Sequence, residues 1–312
     1  MRKTLSLFLI LTLTLVATSC HDKSKDSSVD TDLYFTYAER VSDSHLSLLG
    51  NVYNHVVVDA SVYSGLMEML DVGEKCIDYS DNMKLDKEKI IAANPDLLML
   101  SAYDGADMEK FSRLGVPLVE CRDFLESSAL GRAEWMRFLG RLWGVGEKAD
   151  SLFAEVENDY KSMCKLTEHD QRERSSVFFD LLYGNLWYQP ANKSTIGQIV
   201  FDAGGKLSFQ DKTNGGSRAL SVETVLMEAK DADFWLIRSY SNQQLTLAKL
   251  AKLNPAYSQF KAFKDGKVFV CYTDKTHYFE ETAFRPDWLL KDFYKIFHGV
   301  ADKELHYFER LR

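Results

Sequence analysis

Two glutamates, Glu88 and Glu223, occupy matching positions in two similar segments of this 312-residue chain. Residues 85–98 and 220–235 each begin with a leucine and a polar helix-capping residue, continue through the glutamate to an apolar pair, and end in an aspartate followed by an apolar run. A carboxylate in the first turn of a helix interacts favourably with the helix dipole. From this chemistry alone, both glutamates are predicted to stabilise the helices that they begin.

The sequence contains none of the common motifs of catalysis or nucleotide binding: no GxSxG elbow, no HExxH, no P-loop and no GxGxxG. A bare zinc or manganese ion would need three or four converging histidines and carboxylates, whereas the seven histidines are scattered along the chain. The short DAGG sequence at residues 202–205 is predicted to end a helix. We therefore expect neither an enzyme nor a resident metal or cofactor.

The N-terminus has the pattern of a secretory signal. Arg2 and Lys3 precede an apolar run over residues 5–16, and small residues lead to Cys20. The run is too short to cross a bilayer of about 30 Å as a permanent helix. A cysteine in this position resembles a bacterial lipobox, in which the thiol is diacylated; the alternative is ordinary cleavage with an unmodified Cys20. We predict a lipoprotein signal peptide over residues 1–19 and a lipid-anchored polar tether over residues 20–32.

The composition excludes several classes of protein. With 27% charged and 46% hydrophobic residues, the chain has the composition of a globular protein, and its net charge of −8 argues against binding to nucleic acid. Four further cysteines are too widely spaced for a zinc site or a redox motif. An exported protein could pair them, but buried free thiols are the commoner outcome. These cysteines are Cys76, Cys121, Cys164 and Cys271.

Short β-like runs alternate with helical stretches on both sides of one long helical pattern. Apolar residues recur at three- and four-residue spacing from Gly146 to Thr167, which predicts one long amphipathic helix. The alternation predicts an α/β protein with mostly parallel sheets and sites at the carboxyl ends of the strands. We predict an N-terminal lobe over residues 33–144, a bridging helix over 145–169 and a C-terminal lobe over 170–312.

Several segments of the sequence resemble a known family. They are EKIIAANPDLLMLSAYDGADMEKFSRLGVPLVE, LGRAEWMRFLGRLWGVGEKADSLFAEVENDY, DAGG and LSVETVLMEAKDADFWLI. Together they are similar to the class III (cluster A-II) substrate-binding proteins of ABC transporters, which bind ferric siderophores, haem or cobalamin. The tail RPDWLLKDFYKIFHGVADKELHYFERL resembles the iron-complex subgroup found in Bacteroidota. The resemblance implies two Rossmann-like lobes joined by one rigid helix, a ligand in the cleft between them, and no catalysis.

The resemblance also implies partners. In the family, one exposed glutamate on each lobe forms salt bridges with arginines of the permease dimer, and Glu88 and Glu223 lie in the matching positions. The expected protein is an extracytoplasmic, membrane-anchored monomer that delivers an iron chelate to an inner-membrane importer. Cobalamin or haem is an alternative ligand. A surface-exposed lipoprotein that feeds an outer-membrane receptor is a third possibility.

For a bulky and often anionic ferric siderophore, arginine and aromatic side chains are the expected binding groups. We therefore take as candidates the arginines, aromatic residues and one histidine that directly follow the predicted strands. A tyrosine in such a position can also belong to the core, and His277 with a neighbouring tyrosine could bind haem iron. The first-lobe candidates are Tyr63, Tyr103 and Arg122, and the second-lobe candidates are Tyr183, Trp187, Tyr188, Arg238, Tyr240, Tyr272 and His277.

Overall fold

The computed structural model describes most of the chain from residue 35 onward. The described residues are 35–79, 87–101, 109, 111–209, 216–241, 243–300 and 304–312. The predicted signal peptide, the tether with Cys20, and Tyr103 lie outside them. Within these ranges, no helix combines the length and the apolar character that crossing a membrane requires.

The first lobe is built on a four-stranded parallel sheet with the strand order β2-β1-β3-β4. All three residues of β1 are buried, as expected for a parallel sheet that is covered on both faces. The chain places β2 on one side of β1 and β3 on the other, so the sheet has a topological switch point between β1 and β3. The elements are α1 (Asp43–Leu46), β1 (Val56–Val58), α2 (Ala60–Leu70), β2 (Cys76–Asp78), α3 (Lys87–Ala92), β3 (Leu97–Ser101) and β4 (Leu118–Cys121).

Two long helices follow, α4 (Ala129–Leu142) and α5 (Gly146–Glu168). Helix α5 has 23 residues, which corresponds to a length of roughly 34 Å. It matches the helix predicted from Gly146 to Thr167. Its buried stripe includes Phe153, Val156 and Tyr160, which is the face that the apolar spacing identifies. This helix packs against α4 and against a helix near the C-terminus, so it is held by elements of both lobes.

The second lobe has a five-stranded sheet in the order β11-β10-β9-β5-β7, which is parallel except for β11. Strands β6 and β8 form a separate antiparallel pair. Here the switch point lies between β5 and β9. The elements are β5 (Ser175–Phe179), β6 (Trp187–Pro190), α6 (Thr195–Asp202), β7 (Gly205–Leu207), β8 (Ser217–Leu220), α7 (Val222–Ala229), β9 (Phe234–Ser239), α8 (Leu247–Leu253), α9 (Lys261–Lys264), β10 (Val268–Tyr272), α10 (Tyr278–Glu281), α11 (Pro286–Phe297) and β11 (Glu309–Arg310). The prediction of an α/β fold with two mostly parallel lobes is therefore confirmed.

The two lobes pack directly against each other through α2 and α10. At Gly65 of α2, a Cβ atom would lie 2.5 Å from the carbonyl oxygen of Glu280, so glycine allows this close approach of the helices. Beside this contact, the rings of Tyr63 and Phe284 lie 5.9 Å apart. One continuous buried cluster extends from the first sheet to the second. The lobes are therefore joined by packed side chains as well as by α5.

The segment that precedes the first lobe is fixed by two buried carboxylates. Glu134 accepts hydrogen bonds from three consecutive backbone N–H groups of residues 36–38, at 2.5–2.9 Å. Glu126 accepts from the next two N–H groups, of Glu39 and Arg40, at 2.9 and 3.0 Å. Because a buried carboxylate needs such partners, these bonds hold the chain against α4 where the predicted tether would join it.

Candidate functional site

The two switch points are where an α/β fold normally binds its ligand, outside the carboxyl ends of the strands. In the second lobe this position is occupied by Asp180, which follows β5, and by Arg238 of β9. The Nε of Arg238 donates to Oδ1 of Asp180 at 3.0 Å, and its Nη2 donates to Oδ2 of the same carboxylate. The backbone N–H of Arg238 also donates to Oδ1 at 3.0 Å. The pair is therefore a bidentate ion pair with an additional backbone bond.

The surroundings of Arg238 fix its charge and its position. Burial lowers the pKa of Arg238 and the Asp180 carboxylate raises it, with a net upward shift, so the guanidinium stays charged. It lies 5.8 Å from the ring centre of Phe179 and 6.0 Å from that of Tyr278. Asp180 has a φ of 58°, which is unusual for a residue other than glycine and places its carboxylate against β9. Sequence analysis identified Arg238 as a candidate but missed Asp180. The position of this acid, directly after an apolar strand, could have identified it.

Three tyrosines expose their rings near this switch point. Tyr240 directly follows β9 and is 86% exposed; Tyr183 follows β5 and is 80% exposed. Tyr183 is held in a tight turn, in which its N–H donates to the carbonyl oxygen of Leu186 at 2.8 Å and Gly184 adopts a φ of 59°. Tyr188 lies on β6 opposite Ala219 and is half-exposed. All three candidates therefore leave aromatic surface open to solvent.

Trp187 is a correction. Sequence analysis selected it as a ligand contact, but it belongs to β6 and is fully buried. Its ring packs within 6.0 Å of the ring centres of Trp235, Tyr257 and Phe260, and its Nε1 donates to the carbonyl oxygen of Phe179 at 2.8 Å. Side chains alternate between the faces of a strand, so the exposure of Tyr188 requires its neighbour to face inward.

Tyr272 and Tyr63 are corrected in the same way, because both are buried. The hydroxyl of Tyr272 accepts a hydrogen bond from the backbone N–H of Leu245 at 2.8 Å. The hydroxyl of Tyr63 donates to Oδ1 of Asp123 at 2.6 Å, and Oδ2 of Asp123 accepts from Nε of Arg132 at 3.0 Å. Burial, followed by the nearby Asp123 carboxylate, raises the pKa of Tyr63 well above its usual value. Both tyrosines therefore support the fold.

The carboxyl edge of the first sheet presents carboxylates. Oδ1 of Asp59, the N-cap of α2, accepts from the N–H of Ser61 at 3.0 Å, and Oδ1 of Asp78 accepts from the N–H of Ala60 at 3.1 Å. At the end of β4, the candidate Arg122 forms an ion pair with Glu120. The arginine is thus at the expected edge, but it is paired with a carboxylate that sequence analysis did not single out.

His277 is exposed, whereas both tyrosines near it in the chain, Tyr272 and Tyr278, are buried. It lies at the start of α10 with a φ of 49°, and the hydroxyl of Tyr272 is engaged elsewhere. Over the described part of the chain, no group of three or more histidines, cysteines and acids is close enough to hold a metal ion.

The two matching glutamates are exposed on the first turns of α3 and α7. Hydrogen bonds from its own backbone N–H and from Ser221 lower the pKa of Glu223. This contact supports the predicted interaction with the helix dipole. On the same face, one turn later, each helix exposes a large apolar side chain: Ile91 on α3 is 54% exposed and Met227 on α7 is 77% exposed.

The four described cysteines are free thiols. Burial raises the pKa of Cys76, Cys164 and Cys271 to about 12 in each case, and it raises that of Cys121 further. They are therefore protonated at neutral pH and poor nucleophiles. Of the two possibilities left open by their spacing, the structure supports free thiols.

Two residues of α4, Arg132 and Glu134, form structural ion pairs with different partners. Arg132 pairs with Asp123 at 3.0 Å, and Glu134 pairs with Arg137 at 2.8 Å.

Comparison with known proteins gives a consistent result. Residues 45–274 match the family model of the periplasmic binding proteins. The chain is 28% identical over 283 residues to an uncharacterised lipoprotein of Methanocaldococcus jannaschii, covering 84% of this chain and 69% of that protein. A second uncharacterised lipoprotein of the same organism is 29% identical, covering 75% of this chain and 56% of that protein. The chain therefore spans between about half and about two thirds of the length of these two relatives.

One relative and one solved structure have more informative names. The iron-uptake system-binding protein of Bacillus subtilis is 23% identical over 299 residues, which cover 88% of this chain and 92% of that protein. The structure of the periplasmic heme-binding protein RhuT from Roseiflexus sp. RS-1, in its apo form, superimposes with a TM-score of 0.64 and 18% identity, covering 80% of this chain and all of that chain. At this identity the superposition shows the shared fold.

Proposed function

Because the chain belongs to the family of periplasmic binding proteins, we propose that it captures an iron-chelate complex outside the cytoplasm and delivers it to an ABC importer. Members of the family are the substrate-binding, non-enzymatic components of transport systems. The observation that carries the choice of ligand is the set of exposed tyrosine rings beside the switch point of the second sheet. Flat rings with a polar tip suit a bulky chelate whose shell is partly apolar.

The proposed binding surface consists of Tyr183, Tyr188 and Tyr240, with Arg238 and Asp180 behind them and Arg122 at the edge of the first lobe. Ordering an exposed aromatic ring costs little entropy, because it has two rotatable bonds, and it buries a large area on contact. The relative from Bacillus subtilis, named as an iron-uptake system-binding protein, supports iron as the transported element.

We further propose that Glu88 and Glu223 dock the protein onto arginines of a permease dimer. Both carboxylates are exposed, and both lie on a helix face that also exposes a large apolar side chain, Ile91 or Met227. An exposed ion pair contributes little by itself, whereas two matched acidic points flanked by apolar contacts orient a partner. The resemblance of the two helices gives the proposed surface one equivalent contact on each lobe.

Attachment to a membrane through a lipid on Cys20 completes the proposal, and it is supported by the relatives that are named lipoproteins. Cys20→Ala should abolish incorporation of a labelled fatty acid and release the protein from the membrane fraction. The matched control, Cys76→Ala, should retain both the label and the membrane attachment. Incorporation of label into the Cys20→Ala protein would contradict this assignment.

Cobalamin and haem are the alternative ligands. Cobalamin would use the same aromatic surface. Haem has in its favour the structural similarity to a protein named as heme-binding, although that similarity extends to the fold alone. A native mass spectrum of the protein purified from its own host distinguishes the three. An adduct that contains iron and an organic chelator is expected, and a corrinoid or porphyrin mass would contradict the iron-chelate assignment.

A further inference from the structure

A cavity of about 720 Å³ lies at the amino edge of the second sheet, opposite the edge at which Tyr183 and Tyr240 are exposed. Residues at the starts of β5, β7, β9 and β10 line it, and the chain segments that lead into these four strands are all described. The cavity collects basic side chains on a chain whose net charge is −8. They are Arg172, Arg174, Lys206, Lys267 and Arg310.

Two of these cations are neutralised in ion pairs. Lys206 pairs with Glu173 at 2.9 Å, and Arg172 pairs with Asp170 at 2.7 Å. Each pair carries almost no net charge, so neither cation is counted as available to an anion.

The other three cations keep their charge. Arg174, Lys267 and Arg310 form no ion pair with any residue of the described ranges. The two arginines donate to backbone carbonyl oxygens, Arg310 through its Nε at 2.9 Å, and the Nζ of Lys267 lies 5.1 Å from the centre of an aromatic ring. Carbonyl groups and rings have no net charge, so three positive charges remain.

Negative groups at the cavity offset part of this charge. Of the further acids that line it, Asp233 pairs with Lys261 at 2.6 Å, and Asp231 is exposed. Helices α6 and α11 also end at this edge, and the last carbonyl groups of a helix are equivalent to roughly half a negative charge. Asp231 and the two helix ends together offset about two of the three charges, so the cavity keeps a positive balance.

We propose that this cavity binds phosphate groups, either those of an anionic membrane surface or those of a free organic phosphate. The fork of an arginine matches two oxygens of a phosphate, and a lysine adds a point charge. For a chain attached through a lipid on Cys20, as proposed above, the phosphate groups of the membrane are the nearest source. Binding them through the amino edge turns the edge with Tyr183 and Tyr240 away from the bilayer, towards incoming ligand.

Co-sedimentation with vesicles tests the membrane source. The mature chain with Cys20→Ala carries no acyl group, so only its protein surface can bind. It should bind phosphatidylglycerol vesicles at about 0.1 M salt and should not bind phosphatidylcholine vesicles. The partition coefficient should fall at least tenfold at about 1 M salt, because the Debye length falls from about 10 Å to about 3 Å.

Calorimetric titration of the same protein with pyrophosphate tests the free source. Binding of pyrophosphate without binding to vesicles would support the cavity as a phosphate site and assign it to a soluble ligand. Binding of neither probe would overturn the proposal.

Variants connect binding to this cavity. Lys267→Gln combined with Arg310→Gln removes two of the three unpaired charges and should weaken binding of the phosphate source at least tenfold. The matched control, Lys249→Gln combined with Lys252→Gln, removes the same charge from exposed lysines near the opposite end of β9 and should leave binding unchanged. Equal losses in the two double variants would overturn the assignment to the cavity.

A variant of opposite sign keeps the test independent of folding in the first double variant. Asp231→Asn removes an exposed negative charge from the cavity and should strengthen binding several-fold. Unchanged or weaker binding by the Asp231→Asn protein would contradict the proposal.

Discussion

The two lobes share a topology and differ in what they expose at the edge where a ligand would bind. In the first lobe, the tyrosine that follows the first strand, Tyr63, is buried, and its hydroxyl is bound to Asp123 at 2.6 Å. In the second lobe, Tyr183 and Tyr240 follow equivalent central strands and are 80% and 86% exposed. Aromatic residues at corresponding positions therefore stabilise the fold in one lobe and remain available to a ligand in the other.

The difference has a local cause. Helix α2 of the first lobe is covered by α10 of the second, and this contact encloses Tyr63 beside Phe284. No such contact covers the turn at Tyr183 or the end of β9 among the described residues. The first lobe thus contributes carboxylates and packing, and the second contributes aromatic surface. A residue that follows a strand therefore cannot be identified as a ligand contact from its position alone, because packing of the other lobe can bury it.

The largest expected effect is on uptake in cells, and it concerns the matching exposed glutamates of the two lobes. Replacing both Glu88 and Glu223 with arginine would place like charges against the proposed permease arginines, which costs more than losing a pair. Uptake of the ligand in cells should fall at least tenfold, with each single replacement less severe. Folding and ligand affinity should hardly change, since both side chains are exposed.

Two outcomes would contradict this docking role. Normal uptake by the double variant with its cognate permease would leave the glutamates as helix-dipole residues. Lost ligand binding in the purified double variant would place them in the binding surface or in the fold.

Because Tyr63 is buried and Tyr240 is exposed, removing the hydroxyl group should change the stability of the protein at the first position and not at the second. Tyr63→Phe should lower the free energy of unfolding by about 1–3 kcal/mol, because Asp123 loses a buried hydrogen-bond donor. Tyr240→Phe, the matched change in the second lobe, should leave the stability unchanged, because its hydroxyl is exposed. Urea denaturation measures both. Equal changes in the free energy of unfolding for the two substitutions would contradict the structural role proposed for Tyr63.

A buried histidine of the first lobe, His45, should make the stability of the protein depend on pH. His45 is buried, its Nε2 donates to the carbonyl oxygen of Glu120 at 2.8 Å, and its Nδ1 accepts from the N–H of Ser42 at 3.2 Å. Burial lowers the pKa of His45 below its ordinary value of 6.5. Between the lowered value and 6.5 the unfolded chain binds more protons, so stability increases with pH there and decreases as the pH falls from 7 to 5.

The measurement is the urea midpoint at pH 7 and at pH 5. His45→Gln should shrink the difference between the two midpoints, whereas the exposed His169→Gln should leave it as in the unmodified protein. His298, whose pKa is also lowered by burial, should account for part of what remains. An undiminished difference in the His45→Gln protein would show that His45 does not contribute.

The smallest expected change is in shape. The lobes share a buried cluster and are bridged by α5, so wide hinge opening would break packed contacts. Small-angle scattering should give radii of gyration with and without ligand that agree within about 1 Å. A change of several ångströms would show that the contact between α2 and α10 opens.

The sequence predicted most of the architecture and a smaller part of the site. The stripe of α5 and the alternation of strands and helices are local patterns, and they predicted the long helix and the two lobes correctly. Tyr183, Tyr188 and Tyr240 are exposed as a ligand contact requires, although their binding role stays a prediction. The burial of Tyr63 could not be predicted, because it depends on Phe284, which lies far away in the chain.

One further error has a local physical reason. Trp187 was selected as a ligand contact because it follows a predicted strand, but it pairs with β8 and its ring turns inward, and a pairing of four residues leaves no clear periodicity in the sequence. Arg238 lies at the predicted edge, and its role as a ligand contact stays a prediction. Its partner Asp180 was not predicted, because the pairing depends on a positive φ at that residue.

The central claim is that the second lobe supplies the ligand-binding surface, and the affinity of one double variant tests it most directly. Tyr183→Ala combined with Tyr240→Ala should weaken binding of the iron chelate that co-purifies with the protein at least tenfold, as expected for the loss of two aromatic contacts. The control is Phe201→Ala, which truncates an exposed ring at the opposite end of the lobe and should leave the affinity unchanged. Unchanged binding by a folded Tyr183→Ala/Tyr240→Ala protein would contradict the account and place the ligand elsewhere.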